Sequence, residues 1–226
     1  MLTQLGHYDA AAMTFKNKYG GLPGDLAQAE EAGLAEAGCP DVYGYGDNEC
    51  FYAVVLRAGC SGNGNGMFDD GNGAANYLNC PENLNFWYHL KQAGLLDGPA
   101  DGKTVSDINP VWGRPIFGAS APLTRLRNVG IMVATYTPLP PRRANYYTLG
   151  LSDRYDILPS ARTKALRGHE AFTIDNKLDD GLPTTGRVLV YVLSMPQCIA
   201  AGQYRMADET SNCGLFINTA VLGGQQ

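Results

Sequence analysis

The triplet Gly-Leu-Pro occurs twice in this chain, and each copy follows a segment with a helical pattern. The first copy is residues 21–23 and the second is residues 181–183. Glycine adopts the left-handed conformation that ends many helices, and proline cannot continue a helix because it lacks an N–H group. Each triplet therefore predicts an abrupt helix end, and together they fix where two helices of the fold must stop.

The segment before the first triplet predicts an amphipathic helix. Its apolar residues are spaced alternately by three and four positions, which places them on one helix face: Leu5, Tyr8, Ala12, Phe15 and Tyr19. The pattern is already present at Leu2 with no capping residue before it, so this helix is expected to be the C-terminal part of a longer one. We therefore divide the chain into a helical segment, 1–22, and a globular head, 23–226.

Three further helices are predicted in the head. The first begins at Asp25, whose side chain would cap it, with Gln28 in the capping-box position. The second begins at Pro81 and ends at Gly94. The third covers Gly168–Asp179 and leads into the second Gly-Leu-Pro triplet.

Strand patterns follow the early helices and are rich in β-branched and aromatic residues: Val111–Ala119, Val129–Tyr136, Asn145–Leu151, Arg187–Ser194 and Gly214–Leu222. The run inside 187–194 is apolar or aromatic at six successive positions, which predicts a central strand buried on both faces. Because helices come first and strands cluster later, the predicted fold is α+β, with the N-terminal helix packed on an antiparallel sheet.

Six cysteines are present, and none has the C-x-x-C spacing of a structural zinc site. They lie in or beside glycine-rich and polar segments, which favours disulfides and an oxidising compartment. Pairing of nearest neighbours would close three local loops: Cys39–Cys50, Cys60–Cys80 and Cys198–Cys213. The alternative is six buried thiols in a cytosolic protein.

Charge and motifs exclude several classes of function. The net charge is −5, so no basic field is present for nucleic acid or for an anionic membrane. The longest apolar run, Val188–Leu193, is far shorter than the roughly 20 residues of a membrane span. No P-loop or dinucleotide-binding motif occurs, and the His169–Glu170 pair lacks the second histidine of a zinc protease motif. We therefore predict a protein that is not an enzyme.

Three acidic residues crowd the end of the late helix: Asp175, Asp179 and Asp180. Carboxylates at a helix C-terminus oppose the helix dipole, so something must offset their charge. The candidates are a calcium ion, the basic side chain of Arg187, and hydrogen bonds to the amides of Thr184 and Thr185. The hydrogen-bonded turn is favoured, and calcium is kept as the alternative.

A second candidate calcium site lies in the segment GNGNGMFDDGNG and would use Asn63, Asn65, Asp69 and Asp70. The segment departs from the EF-hand pattern because Met67 stands where a ligand is required and no glutamate follows at the right distance. A plain turn is therefore favoured here too, and no cofactor is expected.

Three segments in fixed order carry a family resemblance: YDAAAMTFKNKYGGLPGDLAQA, then GNGNG with ENLNFWYHLKQAGLL, then AFTIDNKLDDGLPTTGRV. Together they cover roughly a third of the chain and resemble bacterial type IV pilin-like proteins, the prepilin-type cleavage/methylation family. The resemblance implies an N-terminal helix, an antiparallel head and assembly into a filament. The family's cleavage site and apolar helix half are not part of this sequence, in keeping with the expectation of a longer helix.

The function implied by the resemblance is a structural subunit, namely a pilin, minor pilin or pseudopilin of a type IV pilus or type II secretion filament. Its implied partners are other such subunits, and the inner membrane through the absent helix half. The implied location is the inner membrane or periplasm before assembly, then a periplasmic or extracellular filament. The alternatives are a filament-tip adhesin that binds a surface receptor, and a secreted calcium-dependent hydrolase.

Overall fold

The computed structural model describes residues 1–35, 61–68, 82–98, 100, 104–105, 114–115, 117–139, 142–151, 164–190, 195–207 and 209–223. Three α-helices occur in these ranges: α1 (Leu2–Tyr19), α2 (Glu82–Gln92) and α3 (Gly168–Leu178). A short 3-10 helix covers Pro196–Cys198. The strands are β1 (Thr104–Val105), β2 (Arg114–Pro115), β3 (Val129–Leu139), β4 (Arg142–Leu151), β5 (Val188–Leu189), β6 (Ile199–Ala200), β7 (Gln203–Tyr204) and β8 (Phe216–Ile217).

The main sheet has four strands in the order β3-β4-β8-β5, and every pair in it is antiparallel. The β3–β4 hairpin supplies most of its length, from Val129 opposite Leu151 to Leu139 opposite Arg142. Strand β8, from near the C-terminus, lies between β4 and β5. The predicted α+β fold with an antiparallel sheet is confirmed. The prediction of a central strand at 187–194 is wrong for its described part, because β5 stands at the end of the sheet order.

Both faces of this sheet are buried in separate apolar clusters. Successive residues of a strand point to opposite faces, and neighbouring residues here divide accordingly. The larger cluster, which also contains the helices, includes Tyr147, Val188 and Ile217, whereas their neighbours Tyr146, Leu189 and Phe216 form the smaller one. Burial on both faces explains why strand residues here are so often apolar at consecutive positions.

Helix α1 lies in the larger cluster along one side, and its first turn has no side-chain cap. Four of the five residues in the predicted packing face are buried there, and Tyr19 is partly buried with its ring 4.6 Å from that of Phe15. The ring of Tyr8 meets Trp87 of α2 edge to face at 5.0 Å. The helix ends at Tyr19, and Gly20 adopts the left-handed conformation with φ +83° and donates to the Lys16 carbonyl.

One disulfide lies within the described residues, between Cys198 and Cys213. It joins the end of the 3-10 helix to the residues just before β8, and it encloses the β6–β7 hairpin. This is one of the three predicted pairs. The other predicted pairs lie outside the described residues: Cys39–Cys50 and Cys60–Cys80.

Candidate functional site

The first candidate site is a polar junction formed by the turn at Gly24–Asp25, the loop 61–68 and helix α2. The Asp25 carboxylate is only 2% exposed and accepts hydrogen bonds from the amides of Asn65 (3.1 Å) and Gly66 (2.8 Å). The Asp25 main-chain carbonyl accepts from the Gly64 amide at 2.8 Å. A carboxylate can be buried in this way because backbone N–H groups satisfy its oxygens.

The prediction that Asp25 caps a new helix is therefore wrong. Residues 25–35 form successive turns rather than an α-helix. The carboxylate is directed to amides about forty positions further along the chain. Capping is a local pattern, and a competing partner that is distant in sequence cannot be seen from local spacing.

Helix α2 binds the other two segments of this junction, the loop 61–68 and the turn at Gly24–Asp25. It does so through one side chain in its first turn and one in its last turn. Glu82 is buried and accepts the Asn63 amide at 2.9 Å. His89 is buried two turns later and accepts the Gly24 amide on Nδ1 at 2.8 Å. Acceptance on Nδ1 means that the neutral imidazole carries its proton on Nε2. Sequence reasoning missed the role of both residues, and the available signal was the position of His89 between Tyr88 and Leu90.

Two glycines allow the segments of the junction to approach so closely. A Cβ on Gly24, where φ is +86°, would overlap the Glu82 carbonyl oxygen and lie 2.7 Å from the Phe86 amide nitrogen. A Cβ on Gly62 would overlap the main chain of Asp25. Glycine is thus required here by close backbone contact. This accounts for part of the glycine-rich composition without a bound ion.

Two of the four side chains proposed as calcium ligands in the loop are described by the structure, and both accept hydrogen bonds within local turns. The Asn63 Oδ1 accepts the Asn65 amide at 2.9 Å, and the Asn65 Oδ1 accepts the Met67 amide at 2.7 Å. Such side-chain turns are common for asparagine. The other two candidates, Asp69 and Asp70, lie outside the described residues.

The far end of the loop is attached to the sheet. The Phe68 amide donates to the Thr135 hydroxyl at 2.6 Å, and the Thr135 hydroxyl donates to the Asn145 side-chain oxygen. The Asn145 side-chain amide donates to the Gly66 carbonyl at 2.8 Å. The loop therefore links the first turn of the head, helix α2 and the β3–β4 hairpin in one hydrogen-bonded network.

The acidic cluster at the end of α3 is the second candidate site. Carboxylate oxygens of Asp175, Asp179 and Asp180 lie within 4.8 Å of one another, a spacing that could hold a cation. Asp175 is buried and accepts from the Tyr204 hydroxyl (2.7 Å) and from the Gly181 amide (3.2 Å). Its burial contrasts with the exposure of the other two carboxylates.

The exposed carboxylates of this cluster organise the turn into β5. Asp179 accepts the main-chain amides of Arg187 and Val188, and Asp180 accepts the Leu182 amide at 2.9 Å and the Thr185 hydroxyl. The predicted hydrogen-bonded turn is thus present, with these donors in place of the expected Thr184 and Thr185 amides.

Among the described residues, the Arg187 guanidinium group does not pair with a carboxylate. That group donates to the Leu178 carbonyl at the C-terminus of α3, where a cation is favourable. Calcium at the three aspartates stays a prediction.

Burial sets the electrostatics of this cluster. It raises the pKa of Asp175 to about 6, although the hydrogen bonds from Tyr204 and Gly181 act in the opposite direction. The Thr185 hydroxyl and the Leu182 amide lower the pKa of Asp180. Burial also raises the pKa of Tyr204, and the adjacent Asp175 carboxylate adds to the effect.

Comparisons with protein-family models, with curated proteins and with solved structures found no match to this chain. In the described part of the chain, no helix is long and apolar enough to cross a membrane. Functional conclusions therefore rest on the sequence and on the geometry of the two sites.

Proposed function

We propose that this protein is a structural subunit of a type IV pilus or type II secretion filament, as a pilin, minor pilin or pseudopilin. The observation that carries the proposal is the one-sided burial of α1. One side of this 18-residue helix lies in the core, while the other is exposed along its length: Thr3, Gly6, His7, Ala10, Met13, Thr14 and Asn17. A helix that is exposed along one side in this way is suited to packing between subunits.

The hydrogen-bonded junction, which lies in the head, supports the same proposal. A repeating assembly requires each subunit to present the same surface, so its irregular segments must be held in place. Loop 61–68 is held by the Asp25 carboxylate, by Glu82 and by the Thr135–Asn145 pair. The partners in this proposal are other pilin or pseudopilin subunits, located in the periplasm or on the cell surface. No catalytic step is part of it.

Photo-crosslinking in the cells that produce the protein tests this proposal. A photoreactive amino acid would be placed at Met13, which is 40% exposed on the outer side of α1, and in a matched variant at Met206, which is 47% exposed in the head. Packing through α1 predicts subunit-to-subunit adducts from position 13 at a clearly higher yield than from position 206. Equal yields, or no adducts from position 13, would contradict the proposal.

A further inference from the structure

Loop 61–68 contains two Asn-Gly pairs, Asn63–Gly64 and Asn65–Gly66. This dipeptide is prone to deamidation because glycine has no side chain to hinder attack by its own amide nitrogen on the preceding asparagine. In that reaction the glycine nitrogen bonds to the side-chain Cγ, the bond from Cγ to the side-chain nitrogen breaks, and ammonia leaves with the proton from the glycine nitrogen. Water then opens the cyclic imide to aspartate or isoaspartate.

The two pairs have nearly the same local geometry. Gly64 and Gly66 have φ of +73° and +81°, and each asparagine Oδ1 accepts the amide two positions later. They differ in what holds the attacking nitrogen. The Gly64 amide donates to the main-chain carbonyl of Asp25, whereas the Gly66 amide donates to the Asp25 carboxylate, each at 2.8 Å.

We propose that Asn65 is a site of spontaneous deamidation and that the Asp25 carboxylate restrains the reaction. The Gly66 nitrogen must lose its proton before it attacks, and the negative carboxylate beside it opposes formation of an anionic nitrogen. Burial of Asp25 leaves that charge poorly screened. The hydrogen bond also fixes the amide in its present orientation. Asn65 itself is exposed, so water has access to the imide.

The product would weaken the junction that restrains it. Aspartate or isoaspartate at position 65 adds a negative charge next to the Asp25 carboxylate, and isoaspartate also lengthens the main chain. Both changes act on amides that donate to the Asp25 carboxylate, those of Asn65 and Gly66. Deamidation is therefore a one-way chemical step that weakens the attachment of loop 61–68 to the first turn of the head.

Peptide mapping of the intact protein after incubation in mildly alkaline buffer tests this inference. Asp25→Ala removes the acceptor of the Gly66 amide but keeps the main-chain acceptor of Gly64, so Asn63 is an internal control. We expect Asn65 to deamidate about tenfold faster in Asp25→Ala, a factor typical of losing a hydrogen bond to a charged group. Asn63 should change much less. Asp180→Ala removes a carboxylate that holds the turn after α3. This variant should leave the deamidation rate of Asn65 unchanged.

An unchanged Asn65 rate in Asp25→Ala, or an equal rise at Asn63 and Asn65, would overturn the proposal. A second measurement needs no variant and so does not depend on the folding of one. Wild-type protein is incubated folded and in concentrated urea, and Asn65 should react about tenfold or more slowly in the folded protein if the hydrogen bond is protective. Equal rates in the two conditions would also overturn it.

Discussion

Asp175 is a fully buried carboxylate, and its ionisation opposes folding. Its pKa is 3.8 in an exposed setting and about 6 in the folded protein, because burial disfavours the charged form. A raised pKa gives a stability contribution that is full below 3.8 and is lost as the pH rises through about 6. At neutral pH the loss is about 3 kcal/mol, from the size of the shift.

Asp175→Asn should therefore raise the free energy of unfolding at neutral pH, by about 1–3 kcal/mol. The asparagine amide can donate to the Tyr204 hydroxyl while its oxygen accepts from Gly181, so the contacts are kept. Urea unfolding of both proteins across the pH range measures the effect. The difference should be near zero around pH 3.8 and largest above about pH 6.

Asp180→Asn is the control for that experiment, because the pKa of Asp180 is lowered by its hydrogen bonds. Its stability contribution is present above 3.8 and is lost as the pH falls through the lower folded value. Both variants should thus differ from wild type at the upper end of the acidic range but with opposite signs, Asp175→Asn being more stable than wild type and Asp180→Asn less stable. A pH-independent effect of Asp175→Asn would show that the charge of this side chain is not what opposes folding.

At the scale of elements, Gly24 and Gly33 form a natural pair for testing the junction. Both have positive φ, +86° and +71°, but only Gly24 faces neighbours that a Cβ would overlap, and Gly33 faces open space. Gly33→Ala should cost about 1 kcal/mol for the strained conformation alone. Gly24→Ala should cost about 3 kcal/mol or more, because helix α2 must move away. Chemical unfolding measures both, and equal costs would contradict the close packing described here.

The helix ends show which boundaries of an element can be predicted from the sequence and which cannot. The stop after α1 follows from Gly20 and from the Pro23 that comes next, both of which are local signals. The second stop is less simple, because α3 ends at Leu178, before Gly181. The Gly181 amide donates to the Asp175 side chain rather than to a helix carbonyl. The cap expected at Asp25 failed because its partners in loop 61–68 are remote in sequence.

The two candidate sites also differ in how far they could be predicted from the sequence. The turn that follows α3 could be predicted, because Asp180 and its donors lie within five positions of one another. The junction of Asp25, Glu82 and His89 could not, because no local pattern brings three distant segments together. Its sequence signals are glycines that permit close approach, and a histidine that lies between Tyr88 and Leu90 in the predicted helix.

At the scale of the whole molecule, the Cys198–Cys213 disulfide stabilises the C-terminal region. The bridged cysteines are 15 positions apart, and the loop contains Tyr204, which contacts Asp175 on α3. Replacing both cysteines by serine should lower the free energy of unfolding by about 3 kcal/mol, from the chain entropy of a loop of this length. Urea unfolding checks the value. An unchanged unfolding midpoint would show that the bridge adds nothing to a loop already held by its packing.

The proposal of a filament subunit is tested most directly by immunogold electron microscopy of the cells that produce this protein, before and after deletion of its gene. For a filament subunit we expect gold particles at intervals along the length of filaments, loss of those filaments on deletion, and their return when the gene is supplied again. Label only at filament ends would instead favour a tip subunit. Label confined to the cell body or the medium, with filaments unaffected by deletion, would contradict a role as a filament subunit.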